Sequence, residues 1–167
     1  MSSKPSELCQ DFIRALASSS PTPGGGGAAA LCGCLAASLG SMAGSIRRER
    51  CKDAEKLSLL DALLAPCERL REDFLRLMDE DARAFQALSP AYALPKDAPD
   101  RESEICRLSL LAARPPLAML RAGAETVEAL EALLPQVGRL LISDIACGAS
   151  LAAAAMETAA INVFVNT

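Results

Sequence analysis

Residues 28–46 read AAALCGCLAASLGSMAGSI, an uncharged run whose side-chain sizes decide the fold. Leu31, Leu35 and Leu39 recur every fourth residue and make one ridge of a helix. Gly33, Ala37, Gly40 and Gly44 make a second ridge, over which a neighbouring backbone can come close. The run is nearly long enough to cross a bilayer. Only Leu31, Leu35, Leu39, Met42 and Ile46 in it are large, however, so it is built to be surrounded by protein helices and a membrane span is rejected. Arg47, Arg48, Arg50 and Lys52 follow directly, as cations do where a helix C-terminus meets water.

Working outward, residues 18–23 and the run Gly24, Gly25, Gly26, Gly27 form a loop that opens into this helix. Before the loop, Leu8, Phe12 and Leu16 make the stripe of an amphipathic first helix. After the basic run, Leu57, Leu60, Leu64, Cys67, Phe74, Met78, Phe85 and Leu88 recur at three- and four-residue intervals. They predict a long helix from about Asp53 to Ser89, kinked or divided at Pro66. The prolines between residues 89 and 100 imply an ordered crossover. A fourth helix is expected over 102–114, and Pro115 and Pro116 interrupt or restart it into another that reaches Leu134. A short link over 135–142 leads to a last, Ala-rich helix ending near Phe164, with Ser143 as its N-cap and Asp144 in its first turn.

With 51% hydrophobic residues, 3% aromatics and no Trp among 167 residues, the chain favours closely set helices over sheets. The expected fold is all-α, a helical bundle with long central helices in a single domain over 1–167. The net charge of −4 and a pI near 4.9 argue against nucleic acid or an anionic membrane as partner; a small polar molecule fits better. Seven cysteines without a CxxC pair, several inside apolar stretches, read as reduced core thiols. The polar first ten residues carry no hydrophobic signal core, so a cytoplasmic location is expected.

There is no histidine. Proton transfer therefore falls to carboxylates, lysine or thiols, and no metal site is expected because the thiols lack ligand spacing and the acids are scattered. Asp81 lies in register with the apolar stripe of the long helix and would face inward; the alternative is an edge position paired with Arg83. Asp144 and Glu157 are the only acids in the last helix. An acid in a first turn complements the helix dipole with no further role, and Glu157 reads as structural. Gly24 to Gly27 place free amides at a helix N-terminus, suited to an anion or a polar heterocycle, or simply permit tight packing. Neither a Walker lysine nor a preceding strand is present, so ordinary nucleotide binding is not supported.

Taken in order, Ser20-Pro21-Thr22-Pro23-Gly24-Gly25-Gly26, Gly40-Ser41-Met42, Asp79-Glu80-Asp81-Ala82-Arg83-Ala84-Phe85, Leu94-Pro95-Lys96, Pro116-Leu117, Ser143-Asp144 and Asn162-Val163-Phe164-Val165-Asn166 resemble one family. It comprises the cyclodeaminase domain of formiminotransferase-cyclodeaminase and the stand-alone bacterial methenyltetrahydrofolate cyclohydrolases. The resemblance runs from about Asp11 to the C-terminus. It implies a helical homodimer with folate sites associated with the dimer interface, and a tetrahydrofolate derivative as substrate with no bound metal or redox cofactor. Asp81 and Asp144 are then the candidates for proton transfer or pterin anchoring, and Gly24, Gly25 and Gly26 for the substrate loop. Ser143 comes next, with Lys96 facing the glutamate tail. The chain departs from the family pattern at Gly27, around Arg47 and at Arg139, which keeps a second reading in view, a non-catalytic folate-binding or subunit-interaction protein of the same fold.

Overall fold

The structure is a computed structural model that describes residues 5–167, the side chains of Pro5 and Leu8 excepted. Six α-helices follow one another: α1 Pro5–Leu16, α2 Gly25–Glu49, α3 Ala54–Tyr92, α4 Arg101–Ala112, α5 Arg114–Leu133 and α6 Ile142–Val165, with two short 3-10 turns between α5 and α6. No strand occurs among the described residues, and the expected all-α bundle with long central helices is what forms.

The contact between α2 and α3 explains why residues 28–46 are so small. A side chain on Gly33 would run into the ring of Phe74, one on Gly40 into the Cys67 sulfur and Leu130, and one on Gly44 into Leu64. The two helices therefore run antiparallel: Gly33 and Gly40 of α2, seven residues apart, face Phe74 and Cys67 of α3, also seven apart, and Gly44 one turn on faces Leu64. This is a knob-into-notch register that keeps one seam facing the partner. Phe74 and Cys67 are fully buried there, and each such burial stabilises by about 1.5–3 kcal/mol for a large apolar side chain. On its other side α2 packs against α6, and α5 closes the bundle over α2, α3 and α6. Gly123 receives Met156, and Gly148 sits 3.3 Å from the Ala36 carbonyl oxygen at the position its Cβ would take.

Small residues face inward along α2, while Leu35 and Met42 are exposed and Leu31 and Leu39 only half-buried. Being surrounded by protein thus holds for the glycine and alanine ridge and not for the leucine ridge within one chain. By length and hydropathy α2 and the stretch Arg139–Val165 would each suffice to cross a membrane; α2 instead spends its small residues on helix packing.

Three expectations need correction. α3 runs through Pro66 without dividing, because the carbonyl that loses its bond belongs to exposed Ala62 and water can satisfy it. Ser143 is not an N-cap: α6 starts at Ile142 behind Leu141 with no side-chain cap bond, and the preceding 3-10 turn supplies the entry instead. Of the α1 stripe, Phe12 is half-buried and Leu16 exposed, since α1 lies at the margin; Leu8 is outside the described side chains. The prolines at 115 and 116 restart the chain as α5, occupying the first positions of the helix, where a missing N–H costs nothing.

All seven cysteines are free. Of the cysteines inside apolar stretches, Cys32 and Cys34 are half-buried and Cys147 is exposed, against the expectation of a core thiol, whereas Cys67 is buried. Burial, with a smaller push from Glu68, raises the Cys67 thiol to about 11, so little thiolate exists near neutrality. Alkylation of the native protein at mildly alkaline pH is expected to modify Cys9, Cys106 and Cys147 quickly and Cys67 only after unfolding. Peptide mass mapping checks this, and a Cys67 adduct forming as fast as that on Cys106 would contradict it.

Candidate functional site

The glycine ladder of α2 has a further rung. Gly26 stands seven residues before Gly33, and its partner on α3, seven residues beyond Phe74, is Asp81. The carboxylate occupies the space a Gly26 side chain would fill. A knob position that elsewhere holds an apolar group here holds an acid, which is why Asp81 falls on the apolar stripe of α3. No hydrogen bond or ion pair is made by the Asp81 side chain among the described residues, Arg83 included. The half-buried carboxyl is pushed up from its ordinary value by burial.

The loop before α2 is held by its own hydroxyls. Ser18 Oγ donates to the Ala15 carbonyl (2.7 Å), the Ser20 amide donates to Ser18 Oγ (3.0 Å), and Ser20 Oγ donates to the Thr22 carbonyl (2.7 Å). The Thr22–Pro23 peptide is cis. Gly24 is extended and serves as N-cap without a side-chain bond. The first helical bond is Ala28 N to Gly24 O (3.0 Å), leaving the amides of Gly25, Gly26 and Gly27 as the unpaired donors of the first turn.

From α6, Asn162 closes the other side. Its Nδ2 donates to the Thr158 carbonyl (2.8 Å), and its side-chain amide lies 3.2 Å from where a Gly25 Cβ would be. Two cavities meet at this point. One of about 250 Å³ runs between α1 and α3 and includes Phe12, Thr22, Gly24, Met78 and Asp81. The other, about 140 Å³, includes Thr22, Gly24, Gly25, Gly26, Asp81, Phe85, Asn162 and Asn166. Thr22, Gly24 and Asp81 border both. The site thus offers a carboxylate acceptor, backbone donors and apolar walls, a set suited to a flat heterocycle with donor and acceptor edges.

Of the residues singled out from the sequence, the structure brings Gly24, Gly25, Gly26 and Asp81 together. It does not bring Asp144, Ser143 or Lys96 to them within one chain. Asp144 is half-buried in the first turn of α6, while Asn162 near the other end of that helix is what meets Gly25. At 1.5 Å per residue the separation along α6 is about 27 Å. Ser143 is exposed beside Asp144. Lys96 lies exposed in the turn beyond α3, which continues about 16 Å past Asp81, and borders a separate cavity of about 350 Å³ with Arg101 and Glu102. Asn162, Asn166, Thr22, Phe12 and Phe85 were not anticipated as site residues. The signal for the asparagines was their four-residue spacing at the end of an otherwise apolar helix.

The sequence profile of the formiminotransferase-cyclodeaminase family matches residues 8–167. The chain belongs to this family. Among formiminotransferase-cyclodeaminase relatives, it is 35% identical over 164 residues to the methenyltetrahydrofolate cyclohydrolase of Methylorubrum extorquens, covering 96% of this chain and 79% of that protein. To the formimidoyltransferase-cyclodeaminase of Sus scrofa it is 32% identical over 157 residues, 93% of this chain and 29% of that protein. The crystal structure of formiminotetrahydrofolate cyclodeaminase from Thermotoga maritima superposes with a TM-score of 0.83 at 25% identity, covering 94% of this chain and 76% of that one. The chain thus spans less than a third of the pig protein. The glycine turn and Asp81 lie within the matched region.

Proposed function

We propose that this chain is a folate-dependent one-carbon enzyme acting at the carbon between N5 and N10 of a tetrahydrofolate derivative, with methenyltetrahydrofolate hydrolysis as its first reading. The observation that carries the proposal is Asp81, a half-buried carboxylate with no hydrogen-bond partner among the described residues, seated against the glycine turn that opens α2 in a chain of this family. In the hydrolysis, water adds to the cationic methenyl carbon as Asp81 takes one of its protons; the carbon–N5 bond then breaks as Asp81 returns that proton to N5 and the carbinol releases its O–H proton to solvent, leaving the formyl group on N10. The glycine amides and Asn162 hold the ring. Proton transfer suffices for this chemistry, so no resident metal or redox cofactor is invoked and the folate is the substrate. The likeness to the Thermotoga maritima cyclodeaminase favours a second reading at the same site, in which N10 attacks a formimino carbon on N5 and ammonia leaves. Purified protein is expected to speed the loss of methenyltetrahydrofolate absorbance. Ammonia release from the formimino compound identifies the second reading, and folate binding without either turnover would leave only a binding module.

The working form is a homodimer in the cytoplasm. Ile161, Phe164 and Val165 are exposed at the end of α6, Phe164 by 78%, directly beside the cavity that Asn162 and Asn166 line. Leu35 and Met42 are exposed along α2. Such apolar ridges suit an isologous partner. A partner laid antiparallel along α2 and α6 would carry its own Asp144, Ser143 and basic segment toward this chain's glycine turn, completing a site that one chain leaves open. Phe164→Glu is expected to yield a folded monomer with little activity. Sedimentation and circular dichroism check this, and a fully active Phe164→Glu monomer would contradict it.

A further inference from the structure

The two asparagines at the end of α6 are turned by the helix itself. Asn162 Nδ2 donates to the Thr158 carbonyl and Asn166 Nδ2 to the Asn162 carbonyl, both at 2.8 Å. A carbonyl can only accept, so each bond fixes which end of the side-chain amide faces the helix and which is left over. What is left over is oxygen. Neither Oδ1 accepts a hydrogen bond among the described residues, and that of Asn162 stands 3.4 Å from the position of a Gly25 Cβ. Both side chains are half-buried and border the smaller of the two cavities, where the Asp81 carboxylate joins them and no cationic side chain does. The larger cavity differs in kind. Phe12, Ala15, Met78 and Ala82 wall it, and Asp79, its other acid, is exposed. Asp81 stands on the border of the two.

We propose that Asn162 and Asn166 set the direction in which the substrate lies, by accepting hydrogen bonds from the N3–H and 2-amino edge of the pterin. On the folate reading, on which this assignment rests, the substrate has unlike ends. The ring edge carries N–H groups side by side, and the far end carries glutamate carboxylates. Amide oxygens beside a carboxylate receive the first end and repel the second, which meets no cation there. The ring therefore occupies the smaller cavity, and the flat aminobenzoyl group lies against Phe12 and Met78 in the larger one. This direction puts the N5–N10 bridge on the border between the cavities, where Asp81 stands. The reversed direction would press carboxylates against three oxygen-bearing side chains and leave the ring's N–H groups against apolar walls.

Calorimetry on the full chain tests this with 5-formyltetrahydrofolate and with the same molecule carrying a methyl in place of its 2-amino group. The amino form is expected to bind about 10- to 100-fold more tightly, because the methyl form leaves half-buried acceptors unpaired. In Asn162→Ala/Asn166→Ala that preference should shrink to less than about threefold. It is a ratio read within one protein, so a partial loss of folded variant does not alter it. Phe12→Ala is expected to weaken both ligands alike, about tenfold for the apolar contact removed, and to keep the ratio. Equal binding of the two ligands by wild type, a preference that survives loss of both asparagines, or one that Phe12→Ala abolishes would overturn the assignment and leave the folate reading standing. Failure of both ligands to bind would remove that reading and the assignment together.

Discussion

Asp81→Asn is expected to lower kcat roughly 100- to 10,000-fold, the range a positioned general acid or base supplies, with KM changed far less. Asparagine keeps the shape over Gly26 and cannot take a proton. The pH dependence carries the sign. Burial raises the folded-state carboxyl above its unfolded value, so the acid limb of the wild-type rate profile is expected above the ordinary aspartate range and is absent from Asp81→Asn. The same shift fixes the stability effect. A raised carboxyl favours the folded state below its unfolded pKa, and that contribution disappears as pH rises through the folded pKa. Asp81→Asn has no group to ionise there, so its stability is expected to gain relative to wild type as pH rises. An inactive variant that is also strongly destabilised at neutral pH would point instead to a structural acid.

Gly33→Ala is the largest stability change expected from a single methyl group. The added carbon would overlap the ring of Phe74, which is fully buried and has nowhere to move. Overpacking of this kind costs about 2–3 kcal/mol, which exceeds the ~1 kcal/mol that alanine gains over glycine in a helix. For a chain of this size the net loss should lower the melting temperature by roughly 2–8 °C. The double variant Gly33→Ala/Phe74→Leu should recover part of the loss, since the two sites share one notch. Gly138→Ala is the control: nothing lies within 4 Å of its added carbon, and calorimetry should show little change. Equal melting of Gly33→Ala and Gly138→Ala would mean that the α2–α3 ladder does not set the packing.

That ladder also explains what the sequence could reveal. The small residues of 28–46, the stripe of α3 and the seven-residue step from Phe74 to Asp81 are all periodic, so the bundle, the helices and the inward turn of Asp81 could be read from spacing. Pro66 broke the rule locally because the cost of its missing hydrogen bond depends on whether water reaches Ala62, which is a tertiary fact. Ser143 was a poor guide to a helix start because the 3-10 turn before it had already begun the coil. Asn162 beside Gly25, and the length of α6 that separates Asp144 from that turn, depend on α6 lying antiparallel to α2. Composition and periodicity give a helix its face and not its direction. The outward leucines of α2 belong to the same class, since a ridge reads alike whether it meets a neighbour in its own chain or in a second copy.

The most direct measurement is a crystal structure with a reduced folate bound. The account predicts the pterin ring against Gly24, Gly25 and Gly26, with the Asp81 carboxylate within hydrogen-bond distance of the ring or of the N5–N10 bridge. Folate bound elsewhere in the assembly, with no contact to Asp81 of any subunit, would contradict it.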